Sequence, residues 1–386
     1  MYNENIYSER ISVMIKVLHC ADIHLDSPFA SENPVKSELR RNELRKTFIS
    51  IISYAKLNNA DIVLIAGDLF DGGFVTKETI DIILDEFADA PDIRFVISPG
   101  NHDPHTDSSI YNRITFPDNV YIFGQTALSY FTFDEINTNV YGYAFIKSEL
   151  THNPFAGHKP HDTAMINLLC AHGDLVSGSK YCPITKDEIH GSGFDYIALG
   201  HIHNSGGIMQ EGGVKYAYSG CPEGRDFGET GYKGALWIEI DKGYFTYKKI
   251  RFSKRRYESD RLNITGTSAM SDVTAIIKGH ITDKGYGDDT ILRVYLEGDV
   301  DPEFTVSKSV LKEQIKGLFE FTVIDETSPL YDYNYLQNDP TIRGAFFNKL
   351  LPLIREGTQE EREIAVRALH YGLSALSGSN IIDFEL

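Results

Sequence analysis

Five short clusters of Asp, Asn and His, each directly after an apolar run, constrain this chain more than any other feature. They are Asp22-Ile-His24, Gly67-Asp68-Leu-Phe-Asp71, Gly100-Asn101-His102-Asp103, His172-Gly173-Asp174 and Gly200-His201-Ile-His203. The runs before them, Ile15–Ala21, Ile62–Ala66, Phe95–Ser98, Ile166–Ala171 and Tyr196–Leu199, read as short buried strands. Helix-period stretches lie between the first three runs. Glu38–Lys56 places Leu44, Phe48, Ile51, Ile52 and Ala55 on one face, and Thr76–Phe87 is a second helix. This alternation is the pattern of an α/β fold. In open α/β sheets, functional groups gather at the carboxyl ends of the strands. One cleft can therefore collect all five clusters.

The residue types in those clusters suit divalent cations. Imidazole and carboxylate together bind Mn²⁺, Fe²⁺ or Zn²⁺. A carboxylate such as Asp68 has two oxygens and can bridge two ions ~3.5–4 Å apart. At a strand end, residues spaced by two point the same way. Asp22 and His24 can thus share an ion, and His201 and His203 can each reach one. The glycines at 67, 100 and 200 allow close backbone approach.

The order D-x-H, G-D-x-x-D, G-N-H-D, H-G-D, G-H-x-H resembles that of the calcineurin-like metallophosphoesterases. The third motif reads GNHD rather than GNHE, and no Arg follows Gly67-Asp-Leu-Phe-Asp71. These details are similar to the SbcD- and Mre-type DNA-repair exonucleases. So are the stretches Asp22–Pro28 and Gly220–Glu229. The motifs span about residues 15–240; the C-terminal third resembles that group in layout alone.

The resemblance implies a four-layer α/β/β/α sandwich with a small α+β capping domain and a helical C-terminal tail. It implies one ion on Asp22, His24, Asp68 and His203, and another on Asp68, Asn101, His172 and His201. Mn²⁺ is the expected metal, with Fe²⁺, Zn²⁺ or Mg²⁺ as alternatives. His102 corresponds to the catalytic histidine, and Asp103 is expected to orient it. The implied reaction is metal-dependent hydrolysis of DNA phosphodiester bonds, 3′-to-5′ from an end with some endonuclease action. A small-phosphodiester or cyclic-nucleotide enzyme of the same fold is the first rival. A non-catalytic scaffold subunit is the second.

Other polar residues read more plainly. His19 on its strand is expected to be a hydrogen-bonded structural histidine. Asp26 and Asp71 are expected in turns or supporting roles. Asp174 either orients His172 or closes a turn. His105, His152, His158 and His161 read as loop surface. Arg225 either contacts a phosphate or forms a structural salt bridge. The basic run Lys248, Lys249, Arg251, Lys254, Arg255 and Arg256 interleaves with Tyr247, Phe252 and Tyr257. It is either a DNA contact or an exposed strand face.

The net charge of −18 argues against gripping nucleic acid by bulk electrostatics. It does not argue against a nuclease, because carboxylates crowd metal sites. Four scattered cysteines, Cys20, Cys170, Cys182 and Cys221, form no CxxC pair and suggest a reducing, cytoplasmic setting. No run is long enough to span a bilayer.

The expected organisation is an N-terminal extension over 1–13, a metallophosphoesterase domain over 14–255, a small α+β module over 256–338 and a helical tail over 339–386. The strand Ala235–Ile240 is expected to close the first domain. In the module, Asp272–Ile281 and Ser307–Leu318 read as helices, and Thr290–Leu296 and Phe319–Ile324 as strands. In the tail, two stripes at helical spacing, Ile364/Ala368/Tyr371/Ala375 and Leu369/Leu373/Leu376, read as core. The resemblance implies that such a tail docks on an SMC-like ATPase. A homodimer is a further expected assembly.

Overall fold

The computed structural model describes residues 14–29, 34–302 and 304–376. The expected extension over 1–13 lies outside the described residues. The chain divides between Tyr257 and Glu258 into two compact units.

The first unit opens with β1 (Ile15–Cys20), α1 (Pro34–Leu57), β2 (Ile62–Ile65), α2 (Lys77–Ala88) and β3 (Arg94–Ile97). It continues with α3 (Ile110–Arg113), β4 (Val120–Ile122), β5 (Ser129–Phe133), β6 (Thr138–Gly142) and β7 (Ile166–His172). Then come α4 (Lys186–Ser192), β8 (Tyr196–Gly200), β9 (Met209–Glu211), β10 (Val214–Tyr218), β11 (Gly234–Asp241) and β12 (Tyr244–Arg251). These strands form two six-stranded mixed sheets, ordered β12-β11-β1-β2-β3-β4 and β5-β6-β7-β8-β10-β9. In the first, β1 to β4 are mutually parallel and β11 runs antiparallel to β1. In the second, β6, β7, β8 and β10 are parallel.

The layering follows from strand alternation. On β1, Leu18 and Cys20 pack into a core that includes Leu44, Phe48, Ile51 and Ile52 of α1 and Ile83 and Phe87 of α2. Ile15, Val17 and Ala21 point the other way, onto Val140, Leu168, Cys170 and Ala198 of the second sheet. The Phe48 and Phe87 rings meet edge-on at 5.8 Å. Burying each is worth roughly 1.5–3 kcal/mol. The far face of the second sheet is covered thinly. It carries the seven-residue α4, with Ile189 and neighbouring loop residues such as Phe155 and Phe194. A capping box between Thr185 and Glu188 and a left-handed Gly193 bound α4.

Two expectations about this unit need correction. β11 does not close the first sheet; β12 pairs beyond it in antiparallel register as the edge strand. The first part of the basic run therefore lies on a strand. Its period was hidden because an edge strand with one solvated face carries charges where a central strand carries apolar residues. α1 also starts earlier than its apolar stripe suggests, at Pro34, a residue suited to a first helical turn.

A buried ion network clasps α1 to the loop after β10. Glu223 accepts from Arg40 Nη1 at 2.9 Å, Thr47 Oγ1 at 3.1 Å, and the backbone N of Lys254 and Arg255 at 2.7 and 3.0 Å. Arg40 also donates to Glu43, which pairs in turn with Arg255 at 2.6 Å. Arg255 of the basic run is thus a structural ion-pair partner.

The second unit holds a three-stranded sheet, β13 (Arg256–Asn263), β14 (Thr290–Glu297) and β16 (Glu320–Asp325), with α5 (Met270–Lys284) and α6 (Lys308–Gln314). A two-stranded ribbon joins β15 (Asp299–Val300) and β17 (Ser328–Pro329). The polar stretch 256–263 is thus a strand, and α6 stops short of the expected Leu318. The chain leaves the helix at Ile315 and turns at Gly317, whose φ is +88°. The core here is Leu262, Ile264, Val273, Ile277, Leu292, Val294 and Leu311.

A separate core joins α7 (Tyr333–Asn338), α8 (Ile342–Glu356) and α9 (Gln359–Leu376) through Leu336, Phe347, Leu351, Ala365, Leu369 and Leu373. Of the two expected stripes on α9, Leu369 and Leu373 of one pack, and its Leu376 is exposed. Ile364 and Tyr371 face outward at 59% and 39% exposure, because Ala365 rather than Ile364 completes the buried i, i+4, i+8 row. No helix among the described residues is long and apolar enough to cross a membrane.

Truncating Glu223→Ala removes one of the two carboxylates that pair with the buried Arg40, and the acceptor of Thr47 and of two backbone N–H groups, and should cost about 3–5 kcal/mol. Urea unfolding measures this; a loss under about 1 kcal/mol would show that the clasp does not hold the unit together.

Candidate metal centre

The ends of five strands from both sheets meet at one place. Backbone bonds zip the loops after β1 and β2: Asp22 N to Gly67 O at 3.0 Å, His24 N to Asp68 O at 2.9 Å and Leu25 N to Leu69 O at 2.9 Å. Asp22, His24 and Asp68 are thereby placed relative to one another before any side chain acts. All three hold φ near +51° and His201 holds +105°. A left-handed conformation at a non-glycine residue costs of order 1 kcal/mol or more and gathers at functional sites.

The side chains then converge. Ligand atoms of Asp22, His24 and His203 lie within 4.8 Å of one another, and so do those of Asp22, Asp68 and His172. Asp68 Oδ2 is 3.6 Å from His24 Nε2 and 3.5 Å from His172 Nε2. Asn101 Oδ1 is 2.9 Å from His172 Nε2 and 3.2 Å from His201 Nδ1. All seven residues singled out by the strand-end motifs (Asp22, His24, Asp68, Asn101, His172, His201 and His203) are brought together here. Asp22 belongs to both of the close groups, a placement its sequence position does not reveal.

Each inward histidine is held by its outer nitrogen. His24 Nδ1 faces Asp71 Oδ1 at 3.3 Å, His172 Nδ1 faces the Ala66 carbonyl at 3.0 Å, and His203 Nδ1 faces Glu229 Oε1 at 2.5 Å. Asp71 and the Ala66 carbonyl can only accept, which favours Nδ1–H and an inward Nε2 lone pair for His24 and His172, while His203 Nδ1 has both Glu229 and the donor Arg225 Nη2, at 3.1 Å, beside it. His201 is turned the other way, with Nδ1 inward. Between His24 and His203 the two Nε2 atoms are 3.3 Å apart. With Asp22, Asp68 and Asn101 Oδ1, the centre is a buried set rich in acceptors. Such a set fits cations. These His/Asp clusters are candidate metal sites of the kind typical of dimetal phosphoesterases, and the donor types do not select one metal.

The electrostatics agree. Burial pushes the Asp22 and Asp68 carboxyls up to about 6. Burial also pushes His24 and His201 down to about 3, and lowers His172. Burial would lower His203 too, but the Glu229 hydrogen bond and the Asp22 charge outweigh it and raise the imidazole. Burial opposes ionisation of Glu229, but His203 and Arg225 prevail and hold its carboxyl down at about 2.

His102 sits at the rim, with its side chain 46% exposed. Its Nδ1 lies 3.0 Å from Asp71 Oδ1, and that hydrogen bond raises the imidazole above its ordinary range. Asp71 thus holds both His24 and His102. Burial works against Asp71's charge, yet these two imidazoles keep its carboxyl below the usual range.

Asp103 does not orient His102. Its carboxylate accepts from the backbone N of Asp68, Phe70 and Gly100 at 3.2, 3.1 and 2.7 Å and from Tyr111 Oη at 2.6 Å. It staples the second and third loops together. Adjacency in sequence misleads here, because consecutive side chains in a turn diverge.

The remaining candidates fall into supporting places. His19 bridges the sheets, with Nδ1 2.8 Å from Tyr196 Oη and Nε2 3.2 Å from Leu199 O. Asp26 accepts from Arg45, Thr76 and Thr79, and pins its loop to α1 and α2. Asp174 closes a turn by accepting from Val176 N. His105 is half-buried and stacks on Tyr111, rather than lying on the loop surface. Arg225 Nη2 lies 3.4 Å from Glu229 Oε1 and 3.1 Å from His203 Nδ1, so a structural ion pair places it at the edge of the centre. Glu229 itself was not foreseen; no spacing rule links it to a histidine 26 residues earlier.

Residues 15–205 match the model of the calcineurin-like phosphoesterase family. The chain is 28% identical over 318 residues to the uncharacterized metallophosphoesterase YhaO of Bacillus subtilis, covering 78% of this chain and 77% of that protein. It is 23% identical to the DNA double-strand break repair protein Mre11 of Saccharolobus solfataricus over 339 residues, 83% of this chain and 84% of that one. The Mre11 of Sulfurisphaera tokodaii is also 23% identical, over 90% of this chain and 91% of its own.

The raised carboxyls set a pH dependence. A folded-state pKa above the unfolded one means the folded chain holds its proton longer. Metal-free stability therefore falls as pH rises from about 4 through about 6, and a divalent ion restores it above that range. Thermal unfolding with about 1 mM Mn²⁺ should show a larger rise in Tm at pH 7.5 than at pH 5. Equal shifts at both pH values would remove Asp22 and Asp68 from the binding set.

Proposed function

We propose that the first unit, whose residues 15–205 match the calcineurin-like phosphoesterase family, hydrolyses phosphodiester bonds of DNA, with Mn²⁺ as the working metal. The observation that carries this reading is the cluster of Asp and His ligand atoms within 4.8 Å of one another, with the half-exposed His102 beside it. The similarity to Mre11 proteins over most of both chains supports DNA as the substrate.

In this reading, Asp22, His24, Asp68 and His203 hold one ion, and Asp68, Asn101, His172 and His201 the other. Bound divalent ions supply activation of water and neutralise charge on the phosphate. The chain's own residues do the rest. Asp71 and the Ala66 carbonyl favour the tautomer of His24 and His172 that presents Nε2 inward, and Glu229 holds His203 by its Nδ1. With Nδ1 held by Asp71, Nε2 of the half-exposed His102 is the nitrogen left to protonate a leaving oxygen. The hydrogen bond to Asp71 raises that imidazole above its ordinary range, the direction that suits a general acid.

Exonuclease polarity and an SMC-like ATPase partner belong to the same proposal. The outward Ile364 and Tyr371 on α9 support a partner there. Co-purification of an ATPase with the wild type but not with Tyr371→Glu checks it.

Nucleotide release from linear duplex DNA in Mn²⁺ tests the central reading. Asp68→Ala should abolish it, and His102→Ala should lower it about 10²–10⁴-fold. A wild type that leaves DNA intact but hydrolyses bis(p-nitrophenyl) phosphate would instead support the small-phosphodiester rival. Asp71→Asn should move the alkaline limb of the pH–rate profile to lower pH, because His102 loses the partner that raises it. An unmoved limb would mean that His102 is not the acid.

A further inference from the structure

The loop between β10 and β11 holds Arg225 at both sides of its backbone. Arg225 N donates to Glu229 Oε2 at 2.8 Å, and the carbonyl of Gly224 before it accepts from the buried Arg40 at 2.8 Å. The side chain is 18% exposed and reaches the edge of the metal centre. There one oxygen, Asp71 Oδ1, faces His24 Nδ1 at 3.3 Å, His102 Nδ1 at 3.0 Å and Arg225 Nη1 at 3.9 Å. The guanidinium thus stands beside a candidate ligand and beside the acid assigned above. Among the described residues, Arg225 is the one lysine or arginine paired with any of the carboxylates Asp22, Asp68, Asp71 and Glu229.

Those carboxylates leave much of the guanidinium unused. An arginine that only neutralises a carboxylate commonly offers it two parallel N–H bonds. Here Nη2 alone is engaged, 3.1 Å from His203 Nδ1 and 3.4 Å from Glu229 Oε1. Nη1 stops 3.9 Å from Asp71, beyond hydrogen-bond distance. Nε is buried with no hydrogen-bond partner. A buried donor without an acceptor is costly, and a charged one more so. A rigidly mounted cation with spare donors, next to a set of candidate metal ligands, fits an anion that arrives with the substrate.

We propose that Arg225 binds a non-bridging oxygen of the phosphoryl group at the metal centre, donating from Nη1 on the side of Asp71 and His102. This deepens the hydrolysis reading above and rests on it. The planar guanidinium matches phosphate geometry. It is held in place before substrate arrives, so it costs no reorganisation when negative charge builds on the phosphoryl oxygens. Its ion pairs with Glu229 and Asp71 are what hold it there.

Two readouts on the Mn²⁺-loaded full chain test this: calorimetric titration with inorganic phosphate, and hydrolysis of bis(p-nitrophenyl) phosphate. Arg225→Ala should weaken phosphate binding about tenfold. It should lower kcat/KM about 10²–10³-fold, as loss of one fixed donor does. Mn²⁺ affinity, titrated separately, should change less than about threefold. Arg225→Lys keeps the charge without the fork and should fall between wild type and Arg225→Ala. Guanidinium ion, kept well below denaturing concentrations, should restore part of the rate to Arg225→Ala.

Unchanged phosphate affinity in Arg225→Ala overturns the proposal. So does a parallel loss of Mn²⁺ and phosphate affinity that guanidinium does not relieve, because Arg225 would then only prop Glu229 and His203. A wild type that binds no phosphate with Mn²⁺ present overturns it as well. Failure of the hydrolysis reading looks different: the wild type would bind phosphate through Arg225, yet cleave neither DNA nor bis(p-nitrophenyl) phosphate.

Discussion

The metal centre depends on the close approach of two sheets at the carboxyl ends of their central strands. At Gly200 a Cβ atom would fall 1.7 Å from the Ala66 carbonyl oxygen, so any side chain there would force β8 away from the end of β2. At Gly67, with φ +88°, a Cβ would lie 2.1 Å from His172 Nδ1. The space these two glycines leave lets His172 donate to the Ala66 carbonyl across the gap between sheets. Without that approach, Asp22 and Asp68 on one sheet could not face His172, His201 and His203 from the other.

The approach brings like with like. Carboxylates, an amide oxygen and imidazole nitrogens crowd together, with the backbone N–H groups of His201 and His102 donating to Asp22 and Asp68, and several of these residues sit on left-handed backbone. Folding must hold this arrangement against its own repulsion. It does so from outside: Asp103 staples two loops, Asp71 and Glu229 grip histidine Nδ1 atoms, and backbone bonds zip the first two loops. The rigidity of the support keeps the acceptors facing one another until cations compensate them.

The same support divides the site's charge by place. The centre is rich in acceptors, and the guanidinium of Arg225 stands at its edge beside Glu229 and Asp71. Glu223, which binds Arg40 and the backbone at Lys254 and Arg255, anchors the loop between β10 and β11 just before Arg225 and Glu229. Stability and site geometry thus share residues in that loop.

The α/β class and the seven residues that converge at the strand ends were legible in the sequence, because each sits within a few positions of a strand end and its neighbours form a local pattern. The outer partners were not. Asp71 reaching His102, Glu229 reaching His203 and the Ala66 carbonyl reaching His172 are contacts across 31, 26 and 106 residues. Asp103 was misread because it adjoins His102 in sequence while its side chain turns to the backbone of two loops. For β12, an exposed strand face was one of two readings of the basic run, and its charges masked the alternation that would have set its bounds. The outward face of α9 was read as core because helical spacing shows that a stripe exists and not which of two stripes meets a neighbour. Local order along the chain therefore determined which groups are offered to the centre. Tertiary packing alone decided which atom of each faces inward, what holds it there, and where the guanidinium of Arg225 stands, because those depend on distances between segments that sequence spacing does not encode.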